Sequence, residues 1–358
     1  MPSEVFDYST THVLEISLHS RQGSHPSLPN QVSIWACALT ILTGMATTPD
    51  TDRVTPPTHQ RPGEVFSSWA IFPAAFIASV ALSISILDDG GSQAAALLAG
   101  LAVGFAIVIV SERLYPFVPD WNRNHDDIAT DAAWAGTTVA IGALLSPAMM
   151  VLGAWLGTLL SAEVGSPLWP KHWPLAGQLA LALVVVEFFQ YWLHRLGHEK
   201  DWLWRFHATH HSAPRLYWLN ASRFHAVDIT LLNLGFIVPL VALGAEAPVF
   251  TLWVVASTVH GICQHANMQI RCGPLNWIFS MAELHRWHHS QLIRESNTNY
   301  GLNLILWDIV FRTRFLPADR EPPKQVGIPD LSAFPTTWWA QLCSPLRWAA
   351  IKQESAES

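Results

Sequence analysis

Charged side chains are scarce in this sequence. Asp, Glu, Lys and Arg make up 13% of the 358 residues, about half of their share in an ordinary soluble domain. The formal net charge is −7, and basic residues form no long run of the kind that binds nucleic acid. We therefore expect neither a soluble domain nor a nucleic-acid partner.

Paired cysteines are also lacking. The four cysteines are widely spaced and form no CxxC motif, so they predict neither a disulfide framework nor a thiolate site for zinc or an iron–sulfur cluster. We interpret all four as plain thiols: Cys37, Cys263, Cys272 and Cys343.

Long apolar runs are abundant, and runs of about 18 or more uncharged residues are typical of membrane spans. They predict an all-α integral membrane protein with a four-helix transmembrane stem and a membrane-embedded hairpin. Pro147 lies inside the third run, and we treat that run as one crossing because membrane helices tolerate a proline kink. The stem runs are Phe66–Ile86, Gln93–Val110, Ala132–Ser161 and Leu175–Leu193, and the shorter hairpin runs are Ile229–Leu243 and Val249–Cys263.

The two ends of the chain differ from this apolar centre. Thr48–Pro62 holds four prolines among polar residues, a composition that buries no core. We expect residues 1–62 to be a disordered or mis-annotated tail, with Met45 as an alternative start. Residues 63–320 are predicted to form the membrane domain, with a catalytic core at 174–315, and residues 321–358 a C-terminal tail.

Basic residues fall mainly on one side of the predicted spans. Five of them lie in His194–Asp228, whereas the loops on the opposite side offer only Lys171. Because cytoplasmic loops are enriched in Lys and Arg, we expect a multi-pass protein whose N-terminus, histidine-rich segments and C-terminus are cytoplasmic.

Histidine is the residue type in excess. The chain has 17, and 11 of them lie between positions 194 and 289. Three groups stand out: His194-Arg-Leu-Gly-His198, His207-Ala-Thr-His210-His211 and His285-Arg-Trp-His288-His289.

The spacings within these boxes place their imidazoles on one helical face, because residues three and four apart are neighbours on a helix. A single tetrahedral zinc needs three or four ligands, and the boxes offer eight. The surplus favours two metals. The adjacent rings of His210 and His211, and of His288 and His289, can each serve one metal.

Three further histidines are candidate ligands: His265, His225 and His260. His265 is the best placed, since it ends an apolar helix that returns toward the boxes. His260 is five residues earlier, roughly 140° around an α-helix. His225 and His260 have the alternative interpretation of hydrogen-bonded core residues.

A polar stripe leads from the first box toward the bilayer. Glu187 and Tyr191 precede His194 and His198 at helical spacings. We expect Glu187 to accept a hydrogen bond from a histidine ring N–H, as carboxylates near metal sites do. The alternative is a carboxylate that pairs with an Arg from a neighbouring helix.

The three boxes, HRLGH, HATHH and HRWHH in that order, resemble those of the fatty acid hydroxylase/sterol desaturase superfamily. The resemblance covers roughly residues 105–315. Two positions depart from its pattern: Arg312 replaces a common Gly, and Glu187 stands where Asp is commoner. Supporting matches are Asn220-Ala-Ser-Arg223-Phe-His225, Gln264-His265-Ala-Asn267, Asn299-Tyr300-Gly301, Trp307-Asp308, and Glu112-Arg113-Leu-Tyr-Pro116 with Trp121, the last like bacterial and alkylglycerol monooxygenase-like members.

The resemblance implies two irons that cycle between Fe2+ and Fe3+, O2 as co-substrate, and two electrons from a separate carrier. No haem, flavin or nucleotide motif is present in the sequence, so we expect a ferredoxin, or a cytochrome with its reductase, as the donor. Residues expected to support the ligands are Glu187, Tyr191, Asn220, Arg223, Asp228, Asn267, Asn299, Trp307 and Asp308.

The expected activity is O2-dependent hydroxylation of an unactivated C–H bond in a lipid-like substrate, with no catalytic side chain beyond the metal site. The alternative within this chemistry is a desaturase that forms a C=C bond in a sterol or lipid. Two alternatives come from other classes, a metal transporter and a zinc hydrolase. A transporter predicts ligands scattered along the spans, whereas here they gather beyond the spans.

Overall fold

The computed structural model describes residues 62–165 and 168–358, and side chains from Ser68 onward. The N-terminal tail, the alternative start at Met45 and Cys37 lie outside the described residues. So do His12, His19, His25 and His59, to which the sequence assigns no role.

The described part of the chain is all-helical, as predicted, with three isolated β-bridges and no strand. Short 3₁₀ helices occupy Pro119–Asn122, Trp218–Ser222, Gly273–Trp277, Pro329–Leu331 and Ser344–Arg347. The α-helices are α1 (Pro62–Asp88), α2 (Gln93–Leu114), α3 (Ile128–Val164), α4 (Leu175–Glu199), α5 (Asp201–His211), α6 (Ala226–Leu243), α7 (Ala247–His265), α8 (Ala282–His288), α9 (Ile293–Ser296), α10 (Leu306–Val310), α11 (Trp338–Cys343) and α12 (Trp348–Glu357).

Six of these helices, α1 to α4, α6 and α7, are long and apolar enough to cross a membrane. Their outward faces are apolar too: Leu98 on α2 is 67% exposed, and Val139 and Val151 on α3 are 72% and 71% exposed. Exposed aliphatic side chains in such numbers are unfavourable in water but suit lipid. The protein is therefore a multi-pass membrane protein.

The third predicted span forms one continuous helix. α3 runs for 37 residues through Pro147, rather than dividing there into two helices. At about 1.5 Å per residue a helix of this length exceeds a bilayer core of about 30 Å. Its first turns therefore extend beyond the apolar region, where polar partners are available.

The predicted hairpin is formed by α6 and α7. Gly244 ends α6 with a φ of +89°, a left-handed conformation that only glycine adopts without strain. α7 then packs against α1, α2 and α4, and α6 packs against α3 and α4. The hairpin is thus enclosed by the stem helices, which fixes the position of His265 at the end of α7.

Small residues allow the stem helices to approach one another closely. A Cβ atom on Gly100 would overlap Ser83 of α1, and one on Gly104 would overlap Val259 of α7. Since lipid tails provide no hydrophobic drive for helix association, such close packing and interhelical hydrogen bonds hold membrane helices together. The Ser83 hydroxyl supplies one, donating to the carbonyl of Ala96 on α2 at 2.8 Å.

Residues 200–225 and 266–358, outside the six apolar helices, form a unit that we term the cap. A buried ion pair ties the cap to the start of α3: Arg215 donates two hydrogen bonds of 2.7 Å to Asp127. Burial alone would raise the pKa of Asp127, but Arg215 outweighs it and lowers that pKa. Removing one partner of such a pair costs about 3–5 kcal/mol.

The residues of the predicted C-terminal tail pack against the rest of the cap. Residues 321–358 contain α11 and α12, and Trp348 and Ile351 of α12 pack with Phe334 against Ala208 of α5. Two short helices carry too few apolar positions for a clear helical period in the sequence. These residues form a wall of the cap.

Candidate metal centre

Nine of the eleven candidate histidines converge at one end of the helical stem. Each lies in or directly after the last turns of α4, α5, α7 or α8. The box spacings ensure this, because positions i, i+3 and i+4 share a helical face. The C-terminal ends of helices carry partial negative charge and favour cations. Four helix ends therefore meet around the same rings.

The nine rings divide into two clusters, in each of which one ligand atom per ring lies within 4.8 Å of the others. The adjacent pairs His210-His211 and His288-His289 each contribute one ring to each cluster. Cluster A consists of His194, His198, His207, His211 and His288, and cluster B of His210, His265, His285 and His289.

Four of the five rings of cluster A are oriented through their Nδ1 atoms. His207 donates to Asp228 Oδ2 at 2.8 Å, and His198 to Asn297 Oδ1 at 3.1 Å. His194 and His288 donate to the carbonyls of Tyr300 at 2.6 Å and Thr298 at 2.7 Å. Because carbonyl and carboxylate oxygens only accept, these Nδ1 atoms carry the proton and each Nε2 presents a lone pair.

Three of the five Nε2 atoms of cluster A lack a protein partner. Those of His194, His207 and His288 are buried and make no hydrogen bond. Those of His198 and His211 lie 3.1 Å apart. Burying a polar atom without a partner costs free energy, so this convergence of unpaired nitrogens has no packing explanation. A shared cation would satisfy all of them.

Cluster B shows the same convergence. His265 Nδ1 donates to Asn220 Oδ1 at 2.9 Å, and the Asn220 side-chain amide donates in turn to the Arg215 carbonyl. The Nε2 atom of His285 lies 2.9 Å from that of His265 and 3.1 Å from that of His289. The ring of His210 stacks on Phe224 at a centroid distance of 4.4 Å.

Burial also fixes the charge of five rings of the cap. It lowers the pKa of each well below the ordinary value of 6.5, and the neighbouring imidazoles lower it further. Neutral imidazole is the form that binds a metal. The donor set fits iron, copper, zinc or nickel, all of which imidazole suits. These cap rings are His210, His211, His285, His288 and His289.

Glu187 does not bind a histidine ring, which corrects the sequence-based expectation. Its two carboxylate oxygens accept hydrogen bonds from the backbone N–H groups of Leu302 and Asn303, at 2.6 and 2.9 Å. A buried carboxylate requires such donors, and the neighbouring loop supplies them. The same loop carries Tyr300, whose carbonyl accepts from His194, so Glu187 supports the cluster through the backbone.

Asp308 acts on the same loop. Its oxygens accept from the backbone N–H groups of Tyr300 and Gly301 at 2.8 and 2.7 Å, and from the Thr313 hydroxyl at 2.6 Å. Burial raises the pKa of Asp308 to about 6, although these hydrogen bonds oppose the rise. Tyr191 also reaches this stretch, with its hydroxyl 3.0 Å from that of Thr313.

Four other predicted supporting residues contact neither cluster directly. Asn299 has a φ of +52° and hydrogen-bonds the carbonyls of Leu284 and Phe315, so it positions the loop beside α8. Asn267 forms hydrogen bonds with Val118 and Asn122. The guanidinium of Arg223 lies 3.2 Å from the carboxylate of Asp131. The ring of Trp307 packs against Phe188 and Phe311. They organise the scaffold around the site.

Two predicted ligands are not brought to the clusters. His225 Nδ1 accepts from the backbone N–H of Val227, and its Nε2 lies 3.1 Å from the carbonyl of Leu342. Both nitrogens are occupied, and the ring caps the start of α6. His260 lies between Phe72 and Phe279, at centroid distances of 5.5 and 6.0 Å. The helical offset from His265 explains why α7 directs its ring elsewhere.

Sequence reasoning missed most of the hydrogen-bond acceptors. Residues 297–300 provide three of the four acceptors for cluster A: the Asn297 side chain and the carbonyls of Thr298 and Tyr300. Two of these are backbone atoms, for which no residue type is diagnostic. The motif Asn299-Tyr300-Gly301 indicated that this segment is important, but it did not predict which atoms accept the hydrogen bonds from the histidines.

A cavity of about 390 Å³ lies against two rings of cluster A. His198 and His211 line it, together with Trp204, Asn297 and Trp348. A neighbouring cavity of about 400 Å³ is lined by the Arg223 side chain and by residues 326–329.

The fold and this site define a membrane oxidoreductase. The sequence model of the fatty acid hydroxylase family matches residues 179–313, which contain all three boxes. The chain belongs to the fatty acid hydroxylase family, and the resemblance seen in the sequence is thereby confirmed.

Characterised relatives carry names consistent with this family. Ornithine lipid hydroxylase OlsE of Rhizobium tropici is 41% identical over 235 residues, which are 62% of this chain and 68% of that protein. Alkylglycerol monooxygenase of Xenopus tropicalis is 31% identical over 137 residues, 38% of this chain and 30% of that protein. Methylsterol monooxygenase 1 of Gallus gallus is 26% identical over 160 residues, which are 44% of this chain and 53% of that protein. No solved structure matches the chain significantly.

Proposed function

We propose that this protein is a di-iron oxygenase that uses O2 to hydroxylate an unactivated C–H bond of a membrane lipid. The observation that supports this most strongly is the pair of buried histidine clusters, five and four rings, formed from the three boxes and His265. Two adjacent sites with nitrogen ligands suit a redox pair of metals.

The arrangement of the ligands argues against the other classes. A zinc hydrolase needs one site with three or four protein ligands and an open position, whereas two complete clusters are present here. A transporter needs ligands spaced along a path through the membrane, but the nine rings gather at one end of the helices. Iron at these clusters would supply the activation of O2.

The chain's own residues prepare the site for that chemistry. Asp228, Asn297 and Asn220 hold ring protons on Nδ1, which leaves each Nε2 free to act as a ligand. Burial excludes water from most rings, which protects a reactive oxidant from side reactions. The protein thus contributes orientation, neutrality of the ligands and dryness.

The substrate class follows from the position of the site and from the relatives. The clusters lie where α4 and α7 leave the apolar region, so a lipid can present its reacting carbon from the membrane side. The similarity to an ornithine lipid hydroxylase extends over most of both chains. We therefore infer a lipid with an amino-acid-containing headgroup as the substrate.

Three further points belong to this proposal. Electrons come from a separate carrier, a ferredoxin or a cytochrome with its reductase. The cap and the C-terminus lie on the cytoplasmic side, since basic residues are concentrated there. The membrane domain comprises residues 63–320 with its catalytic core at 174–315, and the C-terminal helices add a wall to it.

The test uses purified protein in lipid bilayers that contain ornithine lipid, a chemical or protein reductant, and 18O2. Mass spectrometry of the extracted lipid should show a product that has gained one labelled oxygen atom, and a His288→Ala variant should form none. A product that has lost two hydrogens and gained no oxygen would identify a desaturase instead. A product that has gained an unlabelled oxygen, and so an oxygen derived from water, would contradict an oxygenase.

A further inference from the structure

The two clusters differ in their access to water. Of the nine rings, His198 alone is not fully buried. It lines the cavity of about 390 Å³ together with His211, and both belong to cluster A. Neither this cavity nor the neighbouring one is lined by a histidine of cluster B. Cluster A therefore borders a cavity through a partly exposed ring, whereas all four rings of cluster B are buried.

The walls of this cavity belong to the cap rather than to the apolar helices. They are formed by α5, the segment 290–297, the segment 327–331 and α12, and only His198 comes from the end of a span. The cavity thus opens on the side of the cap that faces water, away from the lipid-exposed helix surfaces. Its mouth includes Lys352 and Ala356, both exposed.

Oxygen-bearing side chains lead inward from that mouth. Asp201 is paired with Lys352 at 3.1 Å, which leaves the carboxylate of Asp330 as the uncompensated charge of the lining. Ser290 and Asn297 follow on the wall, and Asn297 contacts His198 directly. Oxygen ligands and net negative charge attract a hydrated divalent cation.

The dimensions of the cavity suit such a cation. Each water occupies about 30 Å³ in the liquid, so the space corresponds to roughly a dozen waters. A hydrated ion can therefore enter with its water shell and exchange it for the ring nitrogens at the inner end. Cluster B is enclosed by α7, α8 and the last turn of α5, so the fold must open locally before its metal leaves.

We propose that the cavity beside His198 is the loading site at which a hydrated divalent cation passes from water to cluster A. Cluster A therefore exchanges its metal faster than cluster B. This inference rests on the metal centre of the proposed function. It assigns the segment 327–331 and α12 a role in metal uptake rather than in lipid oxidation.

The test follows metal loss from the full-length holoprotein into excess EDTA, by elemental analysis of the protein over time. We expect two phases of one equivalent each, with rates that differ by about tenfold or more, because release without a route requires local unfolding. His265→Ala, which removes a cluster B ligand, should lose the slow phase and keep the fast one.

Two substitutions fill the cavity, and one matched control does not. Ala356→Trp at the mouth and Ser296→Trp on the wall should each slow the fast phase and leave the slow phase unchanged, which would show that the fold is intact. Ala349→Trp makes the same change at an exposed position of α12 that does not line the cavity, and should alter neither phase.

Three outcomes would overturn the inference. In the first, both equivalents of metal leave the protein in a single phase. In the second, both filling variants leave the fast phase unaltered. In the third, the fast phase persists in His211→Ala, which lacks a ligand of cluster A. Protein that holds no metal at the outset would contradict the proposed metal centre itself.

Discussion

The Nε2 atoms of His198 and His211 lie 3.1 Å apart, and the two rings come from different helices. His198 ends α4 and directs its Nδ1 to Asn297, while His211 ends α5. Neither Nε2 has a better partner than the other ring. A cation between the two nitrogens would bind a lone pair of each ring, as it would for the other Nε2 atoms that converge in cluster A. The relationship supports the proposal of a metal at cluster A.

Adjacent histidines should have separable effects. His211→Ala removes a ring of cluster A, and His210→Ala removes one of cluster B. We expect each variant to lose activity and most of the metal of its own cluster, and to remain in the membrane because apolar helix packing holds the stem. Metal content and turnover measured on the same membranes provide the check. Full metal retention in either variant would exclude that residue as a ligand.

The Asp228 carboxylate should act through His207. Asp228→Ala removes the acceptor at 2.8 Å from His207 Nδ1, and disturbing such a partner lowers metal affinity or activity about 10- to 100-fold. Asp228→Asn keeps an oxygen at nearly the same place and should recover part of the loss. Metal titration of both variants shows whether the Asn side chain restores part of the metal affinity that the Ala variant loses. Equal defects in Ala and Asn would indicate a structural role instead.

The three histidines outside the boxes should differ in a defined order. His265→Ala should lower metal content or activity by about tenfold or more, since a ligand is worth at least as much as its supporting partner. His260→Ala and His225→Asn should retain both metals, because neither ring lies in a cluster. Metal analysis of the three variants in parallel is sufficient. A greater loss of metal in His260→Ala than in His265→Ala would refute the assignment.

A topology experiment can test on which side of the membrane the C-terminal end of α3 and the C-terminus of the chain lie. A reporter fused after Ser358 should lie in the cytoplasm, and one inserted at Gly165, which ends α3, should lie on the opposite side. Labelling with a membrane-impermeant reagent reads out both positions. Access to both from one side would show that α3 does not cross the membrane once.

Much of the fold and site could be predicted because strong local patterns carry them. The apolar runs predicted the six long helices. The box spacings predicted that the rings share helical faces and that the adjacent rings of His210 and His211 belong to different metals. A single physical rule, the position of neighbours on a helix, was sufficient in both cases.

Other features depend on contacts that no local pattern reports. Glu187 was expected to bind a ring, but the loop at Leu302 and Asn303 occupies its carboxylate. His225 occurs in a recognisable motif, yet it caps a helix. The last helix, α12, packs on α5 through a few apolar residues such as Trp348, too few to predict. For Glu187 and for α12 the partner is distant in sequence, and its identity depends on the assembled fold.

The central claim is that the nine histidines hold two iron ions side by side. The most direct test is elemental analysis of gently purified, full-length protein, normalised to protein concentration by amino-acid analysis. The clusters predict about two irons per chain, since each offers four or five imidazoles. A single metal per chain in fully loaded protein, or zinc as the only metal of an active preparation, would contradict the account.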